Sequence, residues 1–103
     1  MSKNTRLDTK QLRAMGHKLK PVVTVAGNGL TDNVLSEIDR ALNDHELIKI
    51  KLAVGSREAR SAVTDEICER SKAKAVQSIG NVVLLLRRTA EPDPRLSNLL
   101  RPL

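Results

Sequence analysis

The chain has no phenylalanine, tyrosine or tryptophan among its 103 residues. Its core must therefore be aliphatic. It also lacks the Phe, Tyr and Trp rings on which unpaired bases usually stack in modules that read single-stranded nucleic acid. Cys68 is the only cysteine, which excludes an intrachain disulfide framework and a cysteine-based zinc cluster. It is expected to be a small, partly buried side chain on a helix. The two histidines, His17 and His45, lie in no metal-ligand or nucleophile motif. His45 falls at a predicted helix end, where an imidazolium interacts favourably with the dipole. No Gly-x-x-x-x-Gly-Lys-[Ser/Thr] phosphate loop occurs. No apolar run is long enough to cross a bilayer, and no signal segment is evident. By elimination the expectation is a cytoplasmic protein that binds rather than catalyses, with no metal, cofactor or membrane partner.

What the chain does have is positive charge in blocks. Eighteen Lys and Arg against twelve Asp and Glu leave a net +6. Residues 1–25 carry +5, residues 26–46 carry −4, and residues 47–60 return to +3. Clustered cations can match a row of phosphates in a way that scattered ones cannot, although any single surface lysine needs no partner. At this length there is room for one domain with one modest core.

Hydrophobic spacing divides the chain into seven elements. Asp8 or Thr9 can cap a first helix ending near Met15, with Gln11 placed to close a capping box on Asp8 and Gly16 as a stop signal. Residues 22–25 read as a strand. Val34, Leu35, Ile38, Ala41 and Leu42 form the stripe of a second helix capped by Thr31. In the next stretch Ile48, Ile50, Leu52 and Val54 share one face of a strand while Lys49 and Lys51 point the other way. Ser56 caps a third helix with Ala59, Ala62, Val63 and Ile67 on its stripe. Residues 75–79, a Gly80-Asn81 turn and residues 82–87 form a hairpin, its second strand apolar enough to be covered on both faces. Pro92, Pro94 and Pro102 argue against a further element, and residues 89–103 are expected to fray. The order α-β-α-β-α-β-β predicts a single α/β domain over residues 7–88. Its four-stranded mixed sheet should carry helices mainly on one face.

The richest stretch joins the first strand to the second helix. Ala26, Gly27, Asn28 and Gly29 form a loop poor in side chains that opens onto Thr31 and a helix N-terminus. Glycines there permit positive φ and close approach, and free amides with a positive dipole end suit a phosphate. The same residues also suit a plain strand-to-helix turn. Arg57 and Arg60 in the first turns of the third helix oppose its dipole, a placement that fits a ligand or is merely tolerated.

Several of these pieces recur in order in a known family. His17-Lys18-Leu19-Lys20-Pro21-Val22-Val23, Gly27-Asn28-Gly29-Leu30-Thr31, His45-Glu46-Leu47-Ile48-Lys49-Ile50-Lys51 and Ile79-Gly80 before Leu84-Leu85-Leu86-Arg87 resemble YhbY-type CRM domains (chloroplast RNA splicing and ribosome maturation). The resemblance spans roughly residues 7–90. It implies a fold like the C-terminal domain of bacterial translation initiation factor three, and RNA binding through a Gly-x-x-Gly loop and neighbouring basic surface. For stand-alone members it implies association with precursors of the large ribosomal subunit. The chain departs from the family pattern at Ala26, where the first loop glycine falls, at Asn81, where lysine is common, and at Leu86, where tyrosine is common.

Together these observations predict a monomeric, non-enzymatic RNA-binding protein acting on structured ribosomal RNA or pre-ribosomal particles. Its expected contacts are Lys18, Lys20, Ala26, Gly27, Asn28, Gly29, Thr31, Lys49, Lys51, Arg57 and Arg60, with Arg87 and Arg88 as further candidates. The competing readings are an adaptor that touches a ribosomal or assembly protein through its apolar tail, and an enzyme on a phosphorylated small molecule.

Overall fold

The computed structural model describes residues 8–100 of the chain. The expectations placed on Leu7, Pro102 and Leu103 lie outside the described residues. Helix α1 (Thr9–Gly16), strand β1 (Pro21–Val25), α2 (Asp32–His45), β2 (Leu47–Leu52), α3 (Arg57–Ser71), β3 (Lys74–Ile79) and β4 (Val82–Leu86) follow one another in the predicted α-β-α-β-α-β-β order.

The four strands form one mixed sheet in the order β1-β2-β4-β3. β1 runs parallel to β2, while β4 is antiparallel to both β2 and β3. Strands β1, β2 and β3 therefore share one direction, and β4 occupies the gap that the α3 connection leaves between β2 and β3. The hairpin that puts β4 there turns on Gly80, whose φ of +58° is a conformation that side chains resist.

Each helix starts where a side chain accepts a first-turn amide. Asp8 and Gln11 close a reciprocal box, with Asp8 N donating to Gln11 Oε1 (2.9 Å) and Gln11 N to Asp8 Oδ1 (2.8 Å). Thr31 Oγ1 accepts from Val34 N, and Ser56 Oγ accepts from Ala59 N.

Helices α2 and α3 cover one face of the sheet. Ile38, Leu42 and Ile67 interlock there with Val23, Val25, Ile48, Ile50, Leu52, Val83 and Leu85. On α3 the buried row is Val63, Ile67 and Ser71, spaced by four, so Ala62 falls off that row and is exposed, contrary to the predicted stripe. Helix α1 sits on the other face, where Leu12 packs with Leu47 and Leu84, flanked by Met15, Leu19, Val76, Leu86 and Leu99. β2 is thus covered on both sides at its start and on one side at its end.

Gly16 marks more than a helix stop. It is buried, and a Cβ built on it would lie 2.6 Å from Leu84 Cδ2 and 3.0 Å from Leu84 Cδ1. The missing side chain is what lets the end of α1 settle on β4.

The expectation of a frayed C-terminus does not hold for residues 89–100, which pack without forming a helix or strand. Three consecutive residues at the α2–β2 junction hold them. His45 Nδ1 donates to Leu96 O (2.8 Å), and His45 O accepts from Asn98 N (2.8 Å). The Glu46 carboxylate accepts from Thr89 N (2.8 Å) and Ser97 Oγ (2.6 Å), and Leu47 O accepts from Asn98 Nδ2 (2.7 Å). Glu46 is only 3% exposed, so its carboxylate depends on these donors in place of water. Its backbone is strained, at φ +62° and ψ −45°, near the uncommon γ-turn region. His45 thus has a structural partner beyond the helix dipole.

Two stability measurements check this arrangement. Gly16→Ala is expected to destabilise the fold by about 1–3 kcal/mol in urea unfolding, the usual cost of overpacking. Ending the chain at Arg88 removes the partners of Glu46 and the Leu99 contact, and lowers stability by roughly 2–4 kcal/mol, because a buried carboxylate loses its hydrogen bonds. A truly frayed tail would leave the midpoint unchanged.

Candidate functional site

The period of two in β2 sorts its side chains. Ile48, Ile50 and Leu52 go into the α2–α3 side, and Leu47, Lys49 and Lys51 go to the α1 side. Helix α1 has eight residues and covers only the Leu47 end. The rest of that sheet face is open.

Strand register aligns the open face in two cross-sheet rows. One runs Pro21, Lys49, Leu84, Gln77; the next runs Thr24, Lys51, Val82, Ile79. Lysines stand on β2, and apolar side chains with one amide stand on β4 and β3. Lys18 and Lys20, in the α1–β1 connection, line a depression with Lys49, Val22 and Asn98. The structure therefore brings three of the predicted lysines to one rim, with Lys51 two residues along the same strand face.

Charge divides by layer. Elements α1, β1, β2, β3 and β4 and the α1–β1 connection contain Lys10, Arg13, Lys18, Lys20, Lys49, Lys51 and Lys74 and not one carboxylate. Helices α2 and α3 hold eight of the twelve carboxylates in the chain. Against them the same helices hold Arg40, Arg57, Arg60 and Arg70, so a polyanion is drawn to the first layer and repelled by the second except at the start of α3, where Arg57 and Arg60 stand.

The glycine loop lies at the far end of β1. Gly29 N donates to Ala26 O (2.9 Å), closing a turn, and Gly29 takes φ +81°. Gly27 keeps an ordinary φ with open space around it, and the only non-glycine residues with positive φ among the described residues are Glu46 and Lys72. Alanine at position 26 therefore costs this turn nothing. Asn28 and Thr31 are exposed. The first-turn amides of Asp32 and Asn33 have no carbonyl within the helix to meet, but an anion there would also face the Asp32 carboxylate in that first turn.

Arg57 and Arg60 do not join the lysine rim. They border a separate depression with Ser61, Thr64, Ser78 and Gly80 beside the β3–β4 turn. Arg87 is a structural clamp. Its guanidinium donates to Asp39 Oδ1 (2.7 Å), Asp39 O (2.9 Å), Asn43 Oδ1 (2.8 Å) and Ser71 O (2.7 Å), tying the exit of β4 to the second half of α2 and the end of α3. Four of its five N–H donors are engaged, so it has little left for a ligand. Sequence reasoning missed Gln77, Ile79 and Val82. Their signals were the strand alternation of residues 75–79, the apolar run of residues 82–87 and, for Ile79, its place in the Ile79-Gly80 motif, which show faces but not neighbours.

Among the described residues, no group of three or more His, Cys, Asp or Glu could hold a metal ion. Cys68 packs against the α2–α3 core, where burial pushes its thiol pKa up; Asp65 adds to the rise and a backbone hydrogen bond from Ala75 opposes it. Its reaction with a disulfide reagent at pH 8 is expected to be slower than that of a free thiol, because less of it is thiolate. The rate should keep rising to a higher pH than a free thiol requires.

Comparison with known proteins adds to this geometry. The family model described as the CRS1 / YhbY (CRM) domain matches residues 5–87. A Pseudomonas aeruginosa protein named as a probable RNA-binding protein is 52% identical over 97 residues, covering 94% of this chain and 93% of its own. An RNA-binding protein of Haemophilus influenzae is 47% identical over 95 residues, covering 89% and 96%. The solution structure of a Staphylococcus aureus protein shares the fold with a TM-score of 0.72 at 24% identity, over 81% of this chain and 86% of that one. With its fold, its ordered motifs and this match in agreement, the chain belongs to the CRS1/YhbY (CRM) domain family.

Proposed function

We propose that this protein binds structured ribosomal RNA during assembly of the large ribosomal subunit, as a cytoplasmic monomer and without catalysis. The observation that carries the reading is the charge division: lysines on an open sheet face whose supporting elements contain no carboxylate. The names of the relatives support the same class of ligand.

In mechanism, Lys18, Lys20, Lys49 and Lys51 neutralise successive phosphates, and the counterions those phosphates release supply much of the affinity. Ala26, Gly27, Asn28, Gly29 and Thr31 present backbone at one end of this surface without bulky side chains in the way. Arg57 and Arg60 extend the contact past the β3–β4 turn. Phosphate contacts fix register and orientation, so recognition by this surface reads helical shape and backbone path more than sequence.

A second reading has one observation in its favour. Leu96 and Leu100 are 39% and 51% exposed on the docked C-terminal segment, where a protein partner could cover them. Because truncation there removes stabilising contacts, Leu96→Ser with Leu100→Ser is the better test. Loss of ribosome association with intact binding to isolated RNA would favour an adaptor.

The deciding experiment is a salt series on ribosomal RNA fragments. Replacing Lys18, Lys20, Lys49 and Lys51 with alanine is expected to reduce the slope of log affinity against log salt by about one per lost phosphate contact. Arg57→Ala with Arg60→Ala should reduce it by about two at most on the same basis. Equal slopes for wild type and the fourfold lysine variant would overturn the sheet-face mechanism.

A further inference from the structure

The open sheet face is not uniformly basic. Beside the β2 lysines lies a concavity of about 270 Å³, lined by His17, Pro21, Lys49, Gln77, Ile79, Val82 and Leu84. Its floor is aliphatic, and Ile79, 59% exposed, stands at its edge as a large apolar side chain that the fold has left in water. Gln77 offers two donors and an acceptor, and Lys49 a full positive charge.

We propose that this concavity holds one unstacked nucleobase of the bound RNA, with the adjoining phosphates on Lys49 and Lys51. The inference rests on the RNA reading and adds a base contact to a surface otherwise assigned to backbone. Its argument is complementarity. A nucleotide is an anion joined to a flat, apolar-faced heterocycle with hydrogen-bonding edges. The first cross-sheet row presents a cation, Lys49, then an apolar floor, Leu84, then an amide, Gln77, in the same sequence, and the second row adds Lys51, Val82 and Ile79 beside it.

Spacing agrees with this. β2 and β3 are two strands apart, roughly 10 Å, a span that a phosphate on β2 and a base edge on β3 can bridge. A paired base inside a helix shows only its edge, whereas a loop or bulge base can turn its face onto the floor. Val82, Leu84 and Ile79 supply the apolar contact that aromatic rings supply in other RNA-binding sheets. The contact is weaker per base, and it needs no phenylalanine, tyrosine or tryptophan.

The test uses the full chain and a hairpin RNA with a short unpaired loop. Each loop base is removed in turn to leave an abasic ribose, so the phosphates are unchanged. One abasic position is expected to weaken wild-type binding about fivefold, near the low end of what a stacked base contributes. The Gln77→Ala/Ile79→Ser variant, shown by circular dichroism to be folded, should bind the intact hairpin about fivefold more weakly on the same basis. Removing that same base should then weaken the variant no further, as coupled sites require. Tight binding that ignores every loop base, or an equal loss in wild type and variant, overturns the base site and leaves the phosphate surface standing. It would also leave the concavity to another occupant, such as an apolar peptide side chain. No binding to any hairpin overturns the RNA reading, and the base site with it.

Discussion

A β-strand alternates its side chains between two faces, and in β2 this places apolar residues on the α2–α3 side at every other position. The intervening positions change character along the strand, from Leu47 under α1 to Lys49 and Lys51 beyond it. Both neighbours of β2 depend on its register: β1 through Lys49 to Leu52, and β4 through Leu47 to Lys51. A slip of one residue would bury two ammonium groups among Ile38, Leu42 and Ile67, at a cost in desolvation that no available partner could offset. The register that forms the core is therefore the register that exposes the lysines. Packing and ligand surface are two results of one alternation.

The junction before β2 shows the complementary constraint. Glu46 keeps a strained backbone where glycine would be relaxed, because its side chain is needed to hold Thr89 and Ser97. Strain of this kind persists only when surrounding contacts over-determine it. His45 and Leu47 contribute on either side, so one short stretch ends α2, starts β2 and anchors the segment that brings Leu99 onto the α1 face. The His45-Glu46-Leu47 run, which the sequence presents as a helix end followed by a strand, is also a structural anchor.

Local signals account for what was legible beforehand. Capping residues Asp8, Thr31 and Ser56, the stripe of α2, the alternation of β2 and the Gly80 turn each act within a few residues of themselves, and each appears where expected. The docked C-terminus was not legible because Ser97 and Asn98 find their partners 51 residues away and form no periodic element. Gly16 read as a helix stop because its contact with Leu84 exists only after β4 is inserted beside β2. For the candidate site, the lysines were visible as charge, but their shared rim and the separate position of Arg57 and Arg60 depend on topology. Arg87 counted as a surface cation until its four acceptors on α2 and α3 were in view.

The division of charge between the two layers also affects encounter. A molecule positive on one side and negative on the other has a large dipole, so in the field of a polyanion it experiences torque as well as attraction. It is turned before it touches, sheet face forward, while still within a Debye length, about 8 Å at physiological ionic strength. The carboxylates of α2 and α3 then serve the approach as much as the lysines do, by making the wrong orientation repulsive.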